Sequence, residues 1–243
     1  MRNEITYKEN YKIKSTDTNR FHKLTPSSLL KILQDVATFG AEYVNAGKDK
    51  TLDLGYLWVL LKLEISINRW PLYMEDIRIE TYPNNNVKFI YPRTFNIYDK
   101  DNNLLINVKS DWCLLNERTR QLVLPKEYSI TMPESIDMDR IRKIEIMESS
   151  LKEKRKIRFS DTDLNGHLNN TRYLDFILDL YDGENAINSE IISINMSFHE
   201  EVKEGEIIDI YASDNKEYFI LKKNDKKAFE CNIKYKKEAY VVH

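Results

Sequence analysis

The densest run of polar side chains in this 243-residue chain is Ser160-Asp161-Thr162-Asp163-Leu164-Asn165-Gly166-His167-Leu168-Asn169-Asn170. It gathers carboxylates, amides and one imidazole just ahead of a segment with helical apolar spacing. That combination suits attack on a carbonyl. Amides and backbone N–H groups at a helix N-terminus stabilise a developing oxyanion, and an imidazole can act as acid or base near neutral pH. Asp, Asn and Gly are also turn formers and helix caps, so any one of these residues reads equally well as loop construction. A second copy of the pattern serves as an internal control. At a constant offset of 144 residues the chain reads Asp17-Thr18-Asn19-Arg20-Phe21-His22-Lys23-Leu24-Thr25-Pro26. The Asp-Thr pair and the leucine persist, while Asn19, Phe21 and Thr25 stand where the later copy has Asp163, Asn165 and Asn169. If Asn165 and His167 were needed only to build the turn, the first copy would need them too. A single active site in the second half is therefore expected.

The elements that must position these residues also come twice. After the first copy, Thr25 and Pro26 suit an N-cap and first turn, and Leu29, Leu33, Val36, Gly40 and Tyr43 recur at spacings of three and four. After the second, Asn169 or Asn170 is the expected cap, Tyr173, Phe176, Ile177 and Leu180 form the stripe, and Gly183 ends it. The period then turns strand-like at 56–67, 76–82, 87–98 and 104–115, and again at 190–198, 206–211, 217–221 and 228–235. Polar hairpin loops fall at 99–103 and 223–227, and a short strand is expected at 157–159. One helix followed by an antiparallel meander, twice, is an α+β fold. The expected division is 1–130, a connection at 131–155 with some structure of its own, and 156–243.

Composition removes several chemistries. The six glycines lie apart, so neither a dinucleotide fingerprint nor a phosphate loop can be written. Two cysteines 118 positions apart make neither a disulfide framework nor a cysteine-rich zinc site, and point to a reducing, cytoplasmic location; no cofactor or metal is expected. No apolar run approaches the roughly 18 residues of a membrane span. A net charge of −2 gives no pull toward nucleic acid.

The string S-D-T-D-L-N-G-H-L-N-N-T-R-Y resembles the signature of hotdog-fold thioesterases. The stretches LLKILQDVATFGAEYV, LWVLLKLEISINRWPLYMEDIRIETYP and SDWCLLNERTRQLVLPKEY make the chain similar, over nearly its full length, to the acyl-acyl-carrier-protein (acyl-ACP) thioesterase family. The resemblance implies two tandem hotdog folds, each a long central helix wrapped by an antiparallel sheet. It also implies hydrolysis of a fatty acyl thioester, with catalytic Asp, Asn and His at Asp163, Asn165 and His167 and the catalytic Glu at Glu201. The family often has a cysteine after that Glu; here the residue is Val202, which argues against a thiol nucleophile and for water. Asp163 would orient the pair, Asn165 would hold water or polarise the carbonyl, and N–H groups at the start of the second helix would receive the oxyanion.

By the same resemblance the first half shapes the acyl slot. Val36, Phe39, Trp58 and Leu60 are candidate lining residues, with Trp112 and Tyr173 in the same position; each also reads as ordinary core. The implied partner is an acidic acyl carrier protein bearing a fatty acyl chain, for which 140–143, 152–158 and Lys222, Lys223, Lys226 and Lys227 are candidate basic docking patches. Such charge runs also serve as solvated faces and edge-strand protection. An acyl-CoA thioesterase and a non-catalytic acyl-binding protein are the alternatives, and a homodimer stays open.

Overall fold

In the computed structural model the described residues are 2–124, 132–181 and 190–236. The chain divides into two compact units, Met1–Arg142 and Lys143–His243. The N-terminal unit contains β1 (Tyr7–Lys12), α1 (Pro26–Tyr43), β2 (Tyr56–Ile67), β3 (Asp76–Pro83), β4 (Tyr91–Tyr98) and β5 (Leu104–Asn116). Its strands are antiparallel and lie in the order β1-β3-β4-β5-β2. The C-terminal unit contains β6 (Ser150–Lys156), α2 (Arg172–Leu178), β7 (Ile191–Phe198), β8 (Ile207–Ala212), β9 (Tyr218–Lys223) and β10 (Lys226–Tyr235). Its antiparallel order, β6-β8-β9-β10-β7, is the same topology repeated.

Helix α1 starts where its sequence says it should. Thr25 is the N-cap, its hydroxyl accepting the Ser28 N–H at 3.1 Å, and Pro26 fills the first turn, where a missing N–H costs nothing. Leu29, Leu30, Leu33 and Val36 are buried, as are Ile65, Ile79, Phe95, Ile97, Ile106 and Val108 of the sheet. Each such side chain contributes about 1.5–3 kcal/mol by leaving water. At buried Gly40 a β-carbon would stand 2.7 Å from Arg93 Nη1 and 2.8 Å from Thr81 Cγ2, so the close approach of side chains from β4 and β3 requires glycine. The apolar stripe is narrower than its periodicity predicts. Tyr43 and Phe39 are exposed, and both rings rest against Tyr7 of β1 instead, at 6.0 and 6.3 Å between centroids.

Other expectations are corrected. The long central helix is present in the N-terminal unit, but α2 spans seven residues among those described, and Gly183, its expected end, lies outside them. The α2 N-cap is Thr171, without a side-chain capping bond; Asn169 acts just ahead of it, its Oδ1 accepting the Thr171 N–H at 3.0 Å. Residues 150–155, the end of the expected connection, carry structure of their own, as an edge strand that runs on to Lys156 and pairs with β8. The strand expected at 157–159 does not form: residues 157–158 follow β6 as irregular chain and Phe159 opens a 3-10 turn, Phe159–Asp161. Val87 and Ile90 close a tight turn on each other, so β4 begins only at Tyr91.

Candidate active site

The polar run at 160–170 folds as a turn tied at both ends. Asp161 receives the Arg158 N–H at 3.0 Å and the Arg172 guanidinium at 2.9 Å, fixing the entry to the turn against α2. Asp163 closes the turn itself. Its N–H donates to the His167 carbonyl at 2.8 Å, and its Oδ1 accepts the N–H of Asn165 at 2.8 Å and of His167 at 3.2 Å. Gly166, at φ +73°, takes the left-handed conformation that such a tight turn needs. The exposed Asn165 carboxamide has no hydrogen-bonding partner among the described residues, so its donors and acceptor face outward.

A second segment runs alongside. The Leu168 N–H donates to the Val202 carbonyl at 2.7 Å, and His167 bridges Lys203 as an antiparallel pair. This brings His167 Nε2 to 3.4 Å from Glu201 Oε2. Glu206 holds that segment in shape, its carboxylate receiving the Lys203 N–H at 2.7 Å and the Lys223 ammonium at 3.3 Å. Burial pushes the Glu206 carboxyl up, but these donors outweigh it and hold the group below its ordinary range. Sequence reasoning missed Glu206, although its counterpart is visible once GEIIDIY is aligned with MEDIRIETY.

The N-terminal unit builds the same device bond for bond. The Asn19 N–H donates to the Lys23 carbonyl at 2.9 Å, and Asn19 Oδ1 accepts the Phe21 and Lys23 N–H groups at 3.0 and 3.2 Å. His22, at φ 60°, matches Gly166. The Leu24 N–H donates to the Pro71 carbonyl at 2.9 Å, Lys23 bridges Leu72, and Glu75 accepts the Leu72 N–H at 2.8 Å. Asn19, Phe21, Lys23 and Trp70 therefore occupy the places of Asp163, Asn165, His167 and Glu201. The turn forms without an amide, imidazole or carboxylate at the last three of these positions. Loop construction does not account for Asn165, His167 and Glu201.

The remaining candidates are scattered by role. Val36 and Leu60 are buried in the N-terminal unit; Trp58 is half-buried, edge-on to Tyr91 at 5.0 Å, with its indole N–H on the Ala46 carbonyl at 3.3 Å. Half-buried Trp112 gives its indole N–H to Ser110 at 2.8 Å. Phe39 does not join them, since it is exposed beside Tyr7. Tyr173 is buried in the C-terminal unit, stacked on Phe229 at 4.7 Å, where burial pushes its hydroxyl pKa up. Of the expected oxyanion donors at the start of α2, two are engaged locally: Thr171 N–H on Asn169 Oδ1, and Arg172 N–H on the Asn169 carbonyl at 2.9 Å. The proposed basic patches are largely neutralised, Lys154 by Asp209, Arg155 by Glu153 and Asp179, Lys226 by Glu200 and Lys227 by Glu230. Cys113 and Cys231 are free and buried, and burial pushes the Cys113 thiol up to about 11. No cluster of three His, Cys, Asp or Glu side chains that could hold a metal ion occurs among the described residues. No helix among them is long and apolar enough to cross a membrane.

Fold and site thus define a duplicated antiparallel α+β protein in which one of two equivalent turns carries a carboxylate–imidazole pair. The model of the acyl-ACP thioesterase N-terminal domain matches residues 4–131, and that of the C-terminal domain matches 144–241. The chain belongs to the acyl-ACP thioesterase family. It is 22% identical, over 84% of its length, to a chloroplastic acyl-[acyl-carrier-protein] hydrolase of Cuphea viscosissima and spans 54% of that protein. It is 23% identical, over 86% of its length, to a chloroplastic oleoyl-acyl carrier protein thioesterase of Coriandrum sativum and spans 63% of it. Among solved structures, an acyl-ACP thioesterase from Bacteroides thetaiotaomicron has the same fold, with a TM-score of 0.86 at 22% identity, covering 97% of this chain and 100% of that one.

Proposed function

We propose that the protein hydrolyses the thioester of a fatty acyl-ACP, releasing a free fatty acid and the carrier thiol and so ending or diverting chain elongation. One observation carries this reading: a turn that both units build alike bears the His167–Glu201 pair, at 3.4 Å, only where Asn165 also faces outward. Family membership and the likeness of fold support it. Each unit is then a hotdog fold, and the N-terminal one shapes the acyl slot with Val36, Trp58 and Leu60, while Tyr173 acts as packing.

In this reading water is the nucleophile. Glu201 takes a proton from the water as its oxygen adds to the carbonyl carbon, and the resulting oxyanion then collapses, breaking the carbon–sulfur bond, while that proton passes from Glu201 through His167 to the departing sulfur. A thiol of pKa about 8.5 leaves readily, so little protonation is needed at that step. The Asn165 carboxamide polarises the carbonyl, a role that its free N–H groups suit and that the engaged Thr171 and Arg172 N–H groups do not. Asp163 positions both through the backbone. Valine at 202 and a Cys113 thiol raised to about 11 favour water over a thiolate, and two free buried thiols suit a reducing compartment such as the cytoplasm.

A free-thiol release assay tests the reading, with the same acyl group offered on carrier protein and on CoA. The wild type should turn over the carrier thioester with the higher kcat/KM. His167→Ala, Asn165→Ala and Glu201→Gln should each lose about 10²–10⁴-fold. A wild type inert on every acyl thioester would remove the enzymatic reading, and preference for CoA would replace its substrate.

A further inference from the structure

Beyond the reacting groups, three surface positions around the same turn are apolar in the C-terminal copy and polar in the N-terminal one. Phe159 is 79% exposed, Leu164 is 90% exposed and Ile207 is 56% exposed. In the N-terminal unit the matching positions are Ser15, Arg20 and Asp76, the ordinary polar occupants of such places. The equivalence is fixed by bonding: Ile13 pairs with Glu75 and Met74 as Ile157 pairs with Glu206 and Gly205, and Lys12 lies opposite Asp76 as Lys156 lies opposite Ile207. The charge changes with the apolarity. Lys12 is neutralised by Asp76 at 3.0 Å, whereas Lys156, facing Ile207, has no ion-pair partner among the described residues, and neither has the exposed Arg158. Most nearby acids are already engaged, Asp161 by Arg172, Glu206 by Lys223 and Glu201 by His167, leaving exposed Glu204 and half-buried Asp163, whose carboxylate accepts the Asn165 and His167 N–H groups.

Exposed large apolar side chains have a cost in solubility, and the twin turn folds without them at these three positions, its own exposed apolar residues, Leu72, Tyr73 and Met74, lying on the segment paired with it. We infer that Phe159, Leu164 and Ile207, rimmed by Lys156 and Arg158, form the surface on which the protein that delivers the acyl group docks. The matching face is acidic with an apolar centre. The inference rests on the proposed acyl-carrier activity and adds to it the place of encounter. An apolar centre with a cationic rim is the anatomy of a small protein–protein contact. Its position around the turn of Asn165 and His167 suits a partner whose tethered substrate must reach that turn. A membrane surface is the less favoured occupant, since only two unpaired cations and three side chains would hold it.

The test uses substitutions taken from the molecule's own second copy, Phe159→Ser and Ile207→Asp, which the twin turn and strand already accommodate. Steady-state kinetics are read on a carrier-protein thioester and on the N-acetylcysteamine thioester of the same acyl group. Each variant should lose about tenfold in kcat/KM on the carrier substrate, mainly through KM, and the pair about a hundredfold. Turnover of the small thioester should stay within about twofold. Raising salt should depress wild-type carrier kinetics more steeply than those of Ile207→Asp, whose new carboxylate pairs Lys156. Equal losses on both substrates, no loss on either, or a variant that loses vesicle binding with carrier kinetics intact would overturn the inference. If Ile207→Asp fails to fold, Phe159→Ser alone decides. A wild type inert on both thioesters would instead strike at the proposed activity.

Discussion

Replacing Asp163 tests whether that residue serves through its charge or through the turn it closes. Its Oδ1 accepts two backbone N–H groups, at 2.8 and 3.2 Å, and Asn19 Oδ1 accepts the equivalent two at 3.0 and 3.2 Å. A neutral amide thus does the same structural work elsewhere in this chain. Asp163→Ala removes both acceptors from a half-buried turn and should cost about 1–2 kcal/mol, lowering the melting temperature by about 4–8 °C for each kcal/mol in a unit of this size. Asp163→Asn keeps them and should stay within about 0.5 kcal/mol of wild type. Because Asn165 and His167 are set by those bonds, the thiol-release rate should fall by less than about tenfold for Asp163→Asn and by about a hundredfold or more for Asp163→Ala. Thermal denaturation and turnover are measured on both proteins. An Asp163→Asn protein with wild-type melting but the inactivity of His167→Ala would refute the positioning role and show that the carboxylate charge acts on the reaction. An Asp163→Asn protein as unstable as Asp163→Ala would refute the equivalence of the two turns.

Alkylation probes the thiols: with the Cys113 pKa at about 11 and Cys231 also raised by burial, native protein at pH 8 should resist iodoacetamide with full activity retained and react at both residues only after denaturation, so rapid inactivation of folded protein would contradict water as nucleophile. Glu75, hydrogen-bonded to the Arg69 guanidinium at 2.6 and 2.9 Å, is held below its ordinary 4.5, so its stabilisation is complete above that pH and is lost as pH falls through the lower folded value. Glu75→Gln should therefore melt lower than wild type near neutrality, on the order of 1 kcal/mol after discounting the exposed arginine, with the gap closing under acid; a constant gap would sink the assignment. Gly40→Ala should destabilise by about 1–3 kcal/mol, because the clash with Thr81 and Arg93 outweighs the better helix propensity; a raised melting temperature would mean that the helix has room to move.

What could be read in the sequence was what repeats with a strong period or a strict capping chemistry. Thr25-Pro26 announced α1, and the 144-residue echo announced both turns, because hydrogen bonding at a cap or a tight turn tolerates few residue types. Strands β1 and β6 escaped notice for a shared reason. YKENYK and SLKEKRK are edge strands, charged on the faces that meet water, so neither carries an apolar alternation to find. The extent of α2 and its cap failed differently: Asn169 sits two residues too early to be the N-cap and works through Thr171 instead. Phe39 is exposed because a three-residue step from Val36 falls at the border of the buried stripe, where β1 offers Tyr7 as a neighbour.

Duplication lets structural and functional demands on a residue be separated without any other protein. Where both turns share a bond and a residue type suited to it, as in Asp17 and Asp161 or Glu75 and Glu206, folding accounts for the residue. Where the bond persists and the side chain changes, as from Asn19 to Asp163, folding limits the choice without fixing it. Where the backbone persists but one copy places an imidazole–carboxylate pair or a bare phenyl ring that the other copy's turn does without, the turn itself does not account for the residue. His167, Glu201 and Phe159 fall in that last group. Exchanging them for Lys23, Trp70 and Ser15 should therefore leave the C-terminal unit folded with its turn intact while abolishing turnover, and a collapse of the fold would show that the two copies are not interchangeable scaffolds.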